Sequence, residues 1–236
     1  DTGAASSFIR QSYSGEFSRV GATNFQGGLG TIRVEKCKLD CVSFLGHNFT
    51  EVVAAVQPDE SSDFQTLPFP VIATLGVDIL YQKPLYLEFA AGRIGFLDLI
   101  PPELEKRSRV INLHFYKGFA LFDLDMGSYR FQAAFDVGAG YSCLNANWLK
   151  QLQSELIELQ PEETADPTGG LAWMPVYKHR NLEVHGYSLG ETCFLVVDLS
   201  EIEKILGVNL DFVFGFNAMM NQNWIIDHAG ERLLLL

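Results

Sequence analysis

The chain has 236 residues, 47% of them apolar, enough to bury one large core or two smaller ones of about 100 residues each. Its 17 Lys and Arg against 29 Asp and Glu give a net charge of −12, a surface that repels nucleic acid and anionic lipid. No apolar run approaches the roughly 18 to 20 residues needed to span a bilayer, since the stretch 71–80 is short and is interrupted by Asp78.

The chain opens on Asp1-Thr2-Gly3-Ala4. In an Asp-x-Gly tripeptide the glycine permits a tight turn and close approach to a neighbouring backbone, so the carboxylate is presented at a buried loop. A rigidly held aspartate is an unusual place for a polypeptide to start, and upstream residues are expected. Ser7-Phe8-Ile9 follows, then the glycine turn Gly27-Gly28-Leu29-Gly30. Cys37 and Cys41 would lie about 13 Å apart along one strand face, too far to bridge each other. With Cys143 and Cys193 they form no CxxC pair and read as small buried apolar residues, a disulfide between distant partners staying open. Leu45-Gly46 before Val52-Val53 reads as a hairpin, and Asn48-Phe49-Thr50 has the form of a glycosylation sequon that chance also produces. An apolar strand then runs into Thr74-Leu75-Gly76, followed by a short helical turn and a closing hairpin. Residues 97–118, with Pro101-Pro102 and a charged stretch, read as a linker.

Beyond the linker, Tyr129, Phe131, Ala133 and Phe135 alternate with Arg130, Gln132 and Ala134, the period-2 pattern of a half-buried strand. That strand leads into Asp136-Val137-Gly138-Ala139. Residues 145–159 carry Trp148, Leu149, Leu152, Leu156 and Ile157 at helical spacing, and a helix is expected there. The acidic cluster Glu162, Glu163 and Asp166 reads as a solvated loop before the turn Gly169-Gly170-Leu171, and Trp173 beside it as either a substrate-facing aromatic or core. Ser200-x-x-Glu203 ahead of Ile205-Leu206-Gly207 has the form of a capping box closed by a C-terminal glycine. Five scattered histidines show no trusted metal spacing, so neither a metal nor another cofactor is expected.

These markers occur twice in the same order. Asp1-Thr2-Gly3-Ala4 answers to Asp136-Val137-Gly138-Ala139 at an offset of 135, Gly27-Gly28-Leu29 to Gly169-Gly170-Leu171 at 142, and Leu45-Gly46 to Leu189-Gly190 at 144. Residues 75–96 align without a gap on 214–235 at 139, with Gly76 falling on Gly215. The pattern predicts a duplicated, mainly β unit: an N-terminal lobe over 1–96, the linker 97–118, and a C-terminal lobe over 119–236.

Two such loops related by an approximate two-fold axis would bring Asp1 and Asp136 face to face. Carboxylates that close hold one proton between them and titrate as a unit. A water between them is then deprotonated by one while the other, protonated, polarises a carbonyl. The residues Asp1-Thr2-Gly3-Ala4, the gapless late block and the apolar-apolar-Gly elements Thr74-Leu75-Gly76 and Val213-Phe214-Gly215 resemble the pepsin and retropepsin superfamily of aspartic peptidases, across nearly the whole chain. Alanine after the glycine is closer to the retropepsins. The resemblance implies two pseudo-symmetric closed β lobes with a cleft between them, an extended polypeptide substrate held by main-chain hydrogen bonds, and an intramolecular pseudo-dimer that works as a monomer. It also implies that Asp1 and Asp136 are catalytic and that Thr2, Gly3, Ala4, Val137, Gly138 and Ala139 support them. Gly76 and Gly215 would pack beside the aspartate loops, and Gly27, Gly28, Gly30, Gly169 and Gly170 would form the tips of flaps over the cleft, or of ordinary hairpins. Val137 departs from the family, which has Thr or Ser there. The missing hydroxyl removes one half of a reciprocal hydrogen-bonded pair, which leaves a catalytically weakened peptide-binding module as the alternative to an endopeptidase.

Overall fold

The computed structural model describes residues 1–26, 30–61, 70–165 and 170–236. The chain is mainly β, with 51% strand and 16% helix. A five-stranded sheet is built from β1 (Phe8–Arg10), β2 (Ser18–Gln26), β3 (Thr31–Phe44), β4 (His47–Gln57) and β5 (Ala73–Thr74), in the order β2-β3-β4-β1-β5. After α1 (Val77–Leu80) come β6 (Leu85–Glu88) and β7 (Arg93–Phe96). The segment expected as a linker is itself structured: α2 (Pro102–Arg107), β8 (Arg109–Asn112) and β9 (His114–Tyr116).

The later part of the chain contains β10 (Phe119–Met126), β11 (Tyr129–Phe135), β12 (Ser142–Asn145), α3 (Leu149–Leu152), β13 (Ile157–Glu158), β14 (Glu162–Ala165), β15 (Leu171–Met174), β16 (Val176–Val184) and β17 (Tyr187–Val197). It ends with α4 (Ser200–Leu206), β18 (Phe212–Phe214), α5 (Phe216–Met219), β19 (Asn223–Asp227) and β20 (Arg232–Leu235). Six of these strands close a barrel in the order β16-β17-β12-β18-β11-β10, the circuit being completed where Asp125 and Met126 of β10 pair with Glu183 and Leu182 of β16. The alternation read over 129–135 is the strand β11, with Phe131, Ala133 and Phe135 buried in the barrel. Ala134 is buried too, on the other face, against Leu121, Leu199, Leu206 and Leu210 beneath α4.

The barrel is filled by aromatic rings. Phe122, Phe131, Phe135, Phe194, Phe212, Phe214 and Trp224 are all fully buried. Phe214 meets Phe122 and Trp224 edge to face, with ring centroids 5.5 Å and 5.7 Å apart. Burying each such side chain is worth about 1.5–3 kcal/mol, so this cluster fixes the strand β18 that ends at Gly215. A third sheet, β7-β6-β19-β20-β8, joins strands from the middle of the chain to strands from its C-terminal end, with Leu85 opposite Ile226 and Leu87 opposite Trp224.

Elements recur at a constant spacing. The pair β6 and β7 is repeated 139 residues on as β19 and β20, with Gly76 and Gly215 each preceding a four-residue helix. The hairpin β3–β4 is repeated 140 residues on as β16–β17: Lys36 opposes Ala55 as Val176 opposes Leu195. Both hairpins turn through two residues of positive φ, Leu45 (51°) with Gly46 (80°) and His185 (50°) with Gly186 (73°). Two consecutive residues in this region make the tight turn whose twist matches the flanking strands. The turn that matches Leu45-Gly46 in position is therefore His185-Gly186, not Leu189-Gly190, and the offset expected there as 144 is 140. A slip by an even number of residues preserves every inward and outward position, so hydrophobic alternation could not expose it.

Three further expectations are corrected. The helix expected over 145–159 is confined to a 3₁₀ turn at Ala146–Trp148 and to α3, after which Ile157 joins β13 opposite Lys178. Trp148 Nε1 donates to Asp211 at 2.8 Å and Leu152 is fully buried, so the helically spaced residues anchor a turn and pairing at the barrel edge overrides helix propensity. The capping box at Ser200 does not form: Asp198 Oδ1 accepts from the Ser200 N–H at 2.9 Å, while the Glu203 carboxylate accepts from the Leu210 N–H at 2.9 Å. Gly207 does close the helix in the left-handed conformation, at φ 77°. The acidic stretch expected as a loop contains β14, with Glu162 and Glu163 exposed on it. All four cysteines are free thiols; Cys37 is buried as expected, Cys41 on the same strand is exposed, and Cys143 and Cys193 are half-buried.

Candidate functional site

The two aspartate loops meet at the end of the barrel. Asp136 directly follows β11, and its N–H donates to the Phe214 carbonyl at 3.0 Å; the Asp1 nitrogen donates to the Leu75 carbonyl at 2.9 Å. Each loop then folds over its own carboxylate. Gly3 N–H donates to Asp1 Oδ1 at 2.8 Å, and the N–H groups of Gly138 and Ala139 donate to Asp136 Oδ1 at 2.9 Å and 3.3 Å.

The loops also cross. A Cβ built on Gly3 would stand 2.5 Å from Asp136 Oδ1, and one built on Gly138 would stand 2.6 Å from Asp1 Oδ2, inside the space each carboxyl occupies. Each carboxyl thus rests on the other loop's glycine, where only a residue without a side chain fits. Gly3 touches both carboxyls, through its N–H and its Cα, which holds their nearest oxygens within about 8 Å of each other.

Thr2 ties the crossing. Its buried hydroxyl donates to the Phe135 carbonyl at 3.0 Å and accepts from the Val137 N–H at 3.0 Å. Val137, in the matching position of the other loop, packs on the barrel core and offers no hydroxyl in return.

Gly76 and Gly215 sit directly behind these loops. A Cβ on Gly76 would lie 2.7 Å from the Ser6 carbonyl oxygen and 2.8 Å from that of Ala4; one on Gly215 would lie 2.7 Å from Tyr141 O and 2.8 Å from Ala139 O. The next residues bond to the same carbonyls, Val77 N–H to Ala4 O at 2.9 Å and Phe216 N–H to Ala139 O at 2.8 Å. A further pair of contacts escaped the sequence reading. Ser7 Oγ accepts from Gly76 N–H and donates to Asp78 Oδ1 at 2.8 Å, as Ser142 Oγ accepts from Gly215 N–H and donates to Asn217 Oδ1 at 2.9 Å. A serine six residues after each aspartate, with Asp or Asn two residues after each glycine, was the available signal.

Asp136 is half-buried. Burial pushes its carboxyl above the usual carboxylate range, opposed less strongly by the N–H groups of Gly138, Ala139 and Gly3.

Of the glycines expected at flap tips, Gly27, Gly28 and Gly169 lie outside the described residues. Gly30 and Gly170 immediately precede β3 and β15, in the hairpins β2–β3 and β14–β15. Trp173 is not core: it is 69% exposed on β15. No helix among the described residues is long and apolar enough to cross a membrane.

No protein-family model matches the chain, and no curated protein matches it. Among solved structures, it is similar to the crystal structure of a retropepsin-like aspartic protease from Rickettsia conorii, with 16% identity and a TM-score of 0.38 over 54% of this chain and 92% of that one. At that TM-score the likeness is too loose to place any residue.

Proposed function

We propose that the chain is an aspartic endopeptidase in which Asp1 and Asp136 share one proton and direct a water onto the carbonyl of an extended polypeptide. The observation that carries this reading is the crossing of the two loops, each carboxyl seated on the other loop's glycine. In the reaction, the ionised carboxylate takes a proton from water as its oxygen adds to the peptide carbon, and the protonated carboxyl gives its proton to the carbonyl oxygen. The tetrahedral diol then collapses, the C–N bond breaks, and a proton passes to the departing amine. The raised proton affinity of the Asp136 carboxyl, caused by burial, favours it for the protonated role in this reading.

In this reading residues 1–96 and 119–236 are two copies of one lobe, joined by 97–118, with the substrate in the groove between them and the hairpins β2–β3 and β14–β15 above it. The recurrence of strands at offsets of 139 and 140, and of hydrogen bonds around Gly76 and Gly215, supports the duplication. A second reading, a peptide-binding module with weakened chemistry, is favoured by Val137, which leaves the lock between the loops one-sided.

Incubating the protein with denatured casein from acidic to neutral pH, with and without a pepstatin-type inhibitor, separates the two. The endopeptidase gives inhibitor-sensitive cleavage that Asp1→Asn and Asp136→Asn abolish equally. Absence of cleavage at every pH by the folded protein favours the binding module, and loss with only one of the two substitutions removes the shared proton.

A further inference from the structure

The two halves of the site are unequal at one position. Ser6 and Tyr141 stand five residues after their aspartates, and the carbonyl of each is pressed against the glycine behind its loop, Gly76 or Gly215. Their backbones are therefore held alike while their side chains differ. Ser6 presents a hydroxymethyl group beside the small side chain of Ala5, both exposed. Tyr141 presents a phenol ring that is 39% exposed and whose hydroxyl donates to Glu162 Oε1 on β14 at 3.1 Å.

That hydrogen bond reaches a hairpin otherwise weakly joined to the barrel. On the first sheet β3 runs unbroken from Thr31 to Phe44. In the matching stretch Pro175, which has no N–H, separates β15 from β16, so β14–β15 is a two-stranded sheet of its own. Its registry fixes which side chains face Tyr141. Glu162 pairs with Met174 and Thr164 with Ala172, one face; Glu163 pairs with Trp173 on the other, where Leu171 also lies. Thr164, Ala172 and Met174 are half-covered, whereas Trp173 and Leu171 are each 69% exposed, as expected if the Glu162 face is turned towards the Asp136 loop.

We infer that Tyr141 is a specificity-determining residue, which with Ala172 and Met174 forms an apolar, aromatic subsite on the Asp136 side of the dyad. This deepens the proposed function and rests on it for the location of the substrate. The subsite takes a large apolar or aromatic side chain of an extended polypeptide, while the Ser6 side takes small residues. The Tyr141–Glu162 hydrogen bond holds the hairpin at the height that closes the subsite. The chain therefore reads the direction of its substrate, which two identical lobes could not do.

The test uses non-cleavable peptides, so that it does not depend on turnover. Octapeptides with a reduced-amide central bond carry Phe on one side of that bond and Ala on the other, in both orientations, with an Ala–Ala parent as reference. The intact protein is expected to bind one Phe orientation at least about tenfold more tightly than the parent, a difference of about 1.4 kcal/mol. Tyr141→Ser should reduce that preference, read as the ratio of the Phe peptide's affinity to the parent's, below threefold. Tyr141→Phe should keep the preference but weaken binding of both Phe peptides, because the ring remains and the tether is lost. Equal binding of both orientations by the intact protein, or an unchanged preference in Tyr141→Ser with an unchanged thermal midpoint, overturns the inference. Orientation-dependent binding without cleavage of casein would leave it standing while removing the endopeptidase reading.

Discussion

Replacing Thr2 by Val tests whether the hydroxyl, rather than the shape, of this buried side chain holds the two loops together. The substitution nearly preserves volume and deletes one oxygen, which donates to Phe135 O and accepts from Val137 N–H, both at 3.0 Å. Two hydrogen bonds of about 1 kcal/mol net are lost, and stranding buried backbone groups adds to this, for a total of about 2–4 kcal/mol. For a chain of this length each kcal/mol moves the thermal midpoint by roughly 2–4 °C, so a fall of roughly 4–16 °C is expected. Urea titration monitored by tryptophan fluorescence should show a lower midpoint with an unchanged slope. Thr2→Ser, which keeps the hydroxyl and loses a methyl group, should cost about 1 kcal/mol. Casein cleavage should fall by at least about tenfold in Thr2→Val, since misplacing a catalytic group by an ångström can cost about a hundredfold. A Thr2→Val protein within 0.5 kcal/mol of the parent would refute the reasoning, because the crossing would then be held by packing alone.

Gly3→Ala and Gly138→Ala should each abolish casein cleavage, because the added methyl group enters the space of the opposing carboxyl; wild-type rates in either, measured on folded protein, would contradict the crossed geometry. Burial raises the Asp136 pKa above its ordinary 3.8, so this group's contribution to stability is greatest below 3.8 and is lost as pH rises through the folded-state value. Asp136→Asn, which cannot ionise, should therefore gain stability relative to the parent as pH rises from 3.8 through the raised folded-state value, and a gain that shrinks over that interval in denaturation curves would reverse the assignment. Val137→Thr should be tolerated and modestly stabilising, and a loss beyond about 2 kcal/mol would mean that the barrel core needs both valine methyl groups.

Much of the site was legible because its signals are local and stereochemical. The two Asp-x-Gly loops, the glycines at 76 and 215, and the alternation that carries β11 into Asp136 each depend on a few adjacent residues. The late blocks align without a gap because β6, β7, β19 and β20 share one sheet and tolerate no insertion. The hairpin offsets were misread because even slips are silent in a period-2 pattern, and because Leu45-Gly46 and His185-Gly186 lack the Asn or Asp that usually marks such turns. The 145–159 segment misled for another reason: Leu149, Leu152 and Leu156 do reach the core at helical spacing, but the chain leaves the helix to pair at the barrel edge. The contacts of Ser7, Ser142, Asp78, Asn217, Tyr141 and Glu162 were hidden because their partners lie 21 to 75 residues away.

The sheet β7-β6-β19-β20-β8 gives the molecule an unusual seam. Its central junction joins a strand beginning at residue 85 to one beginning at 223, so neither half of the chain can finish its hydrogen bonding without the other. Such distant pairing makes assembly late and slow compared with the local hairpins. A single backbone cut near Ser108 should leave two pieces that stay associated under native conditions and separate only in denaturant. Pulling on the termini should unzip the seam and part the two aspartate loops in one event.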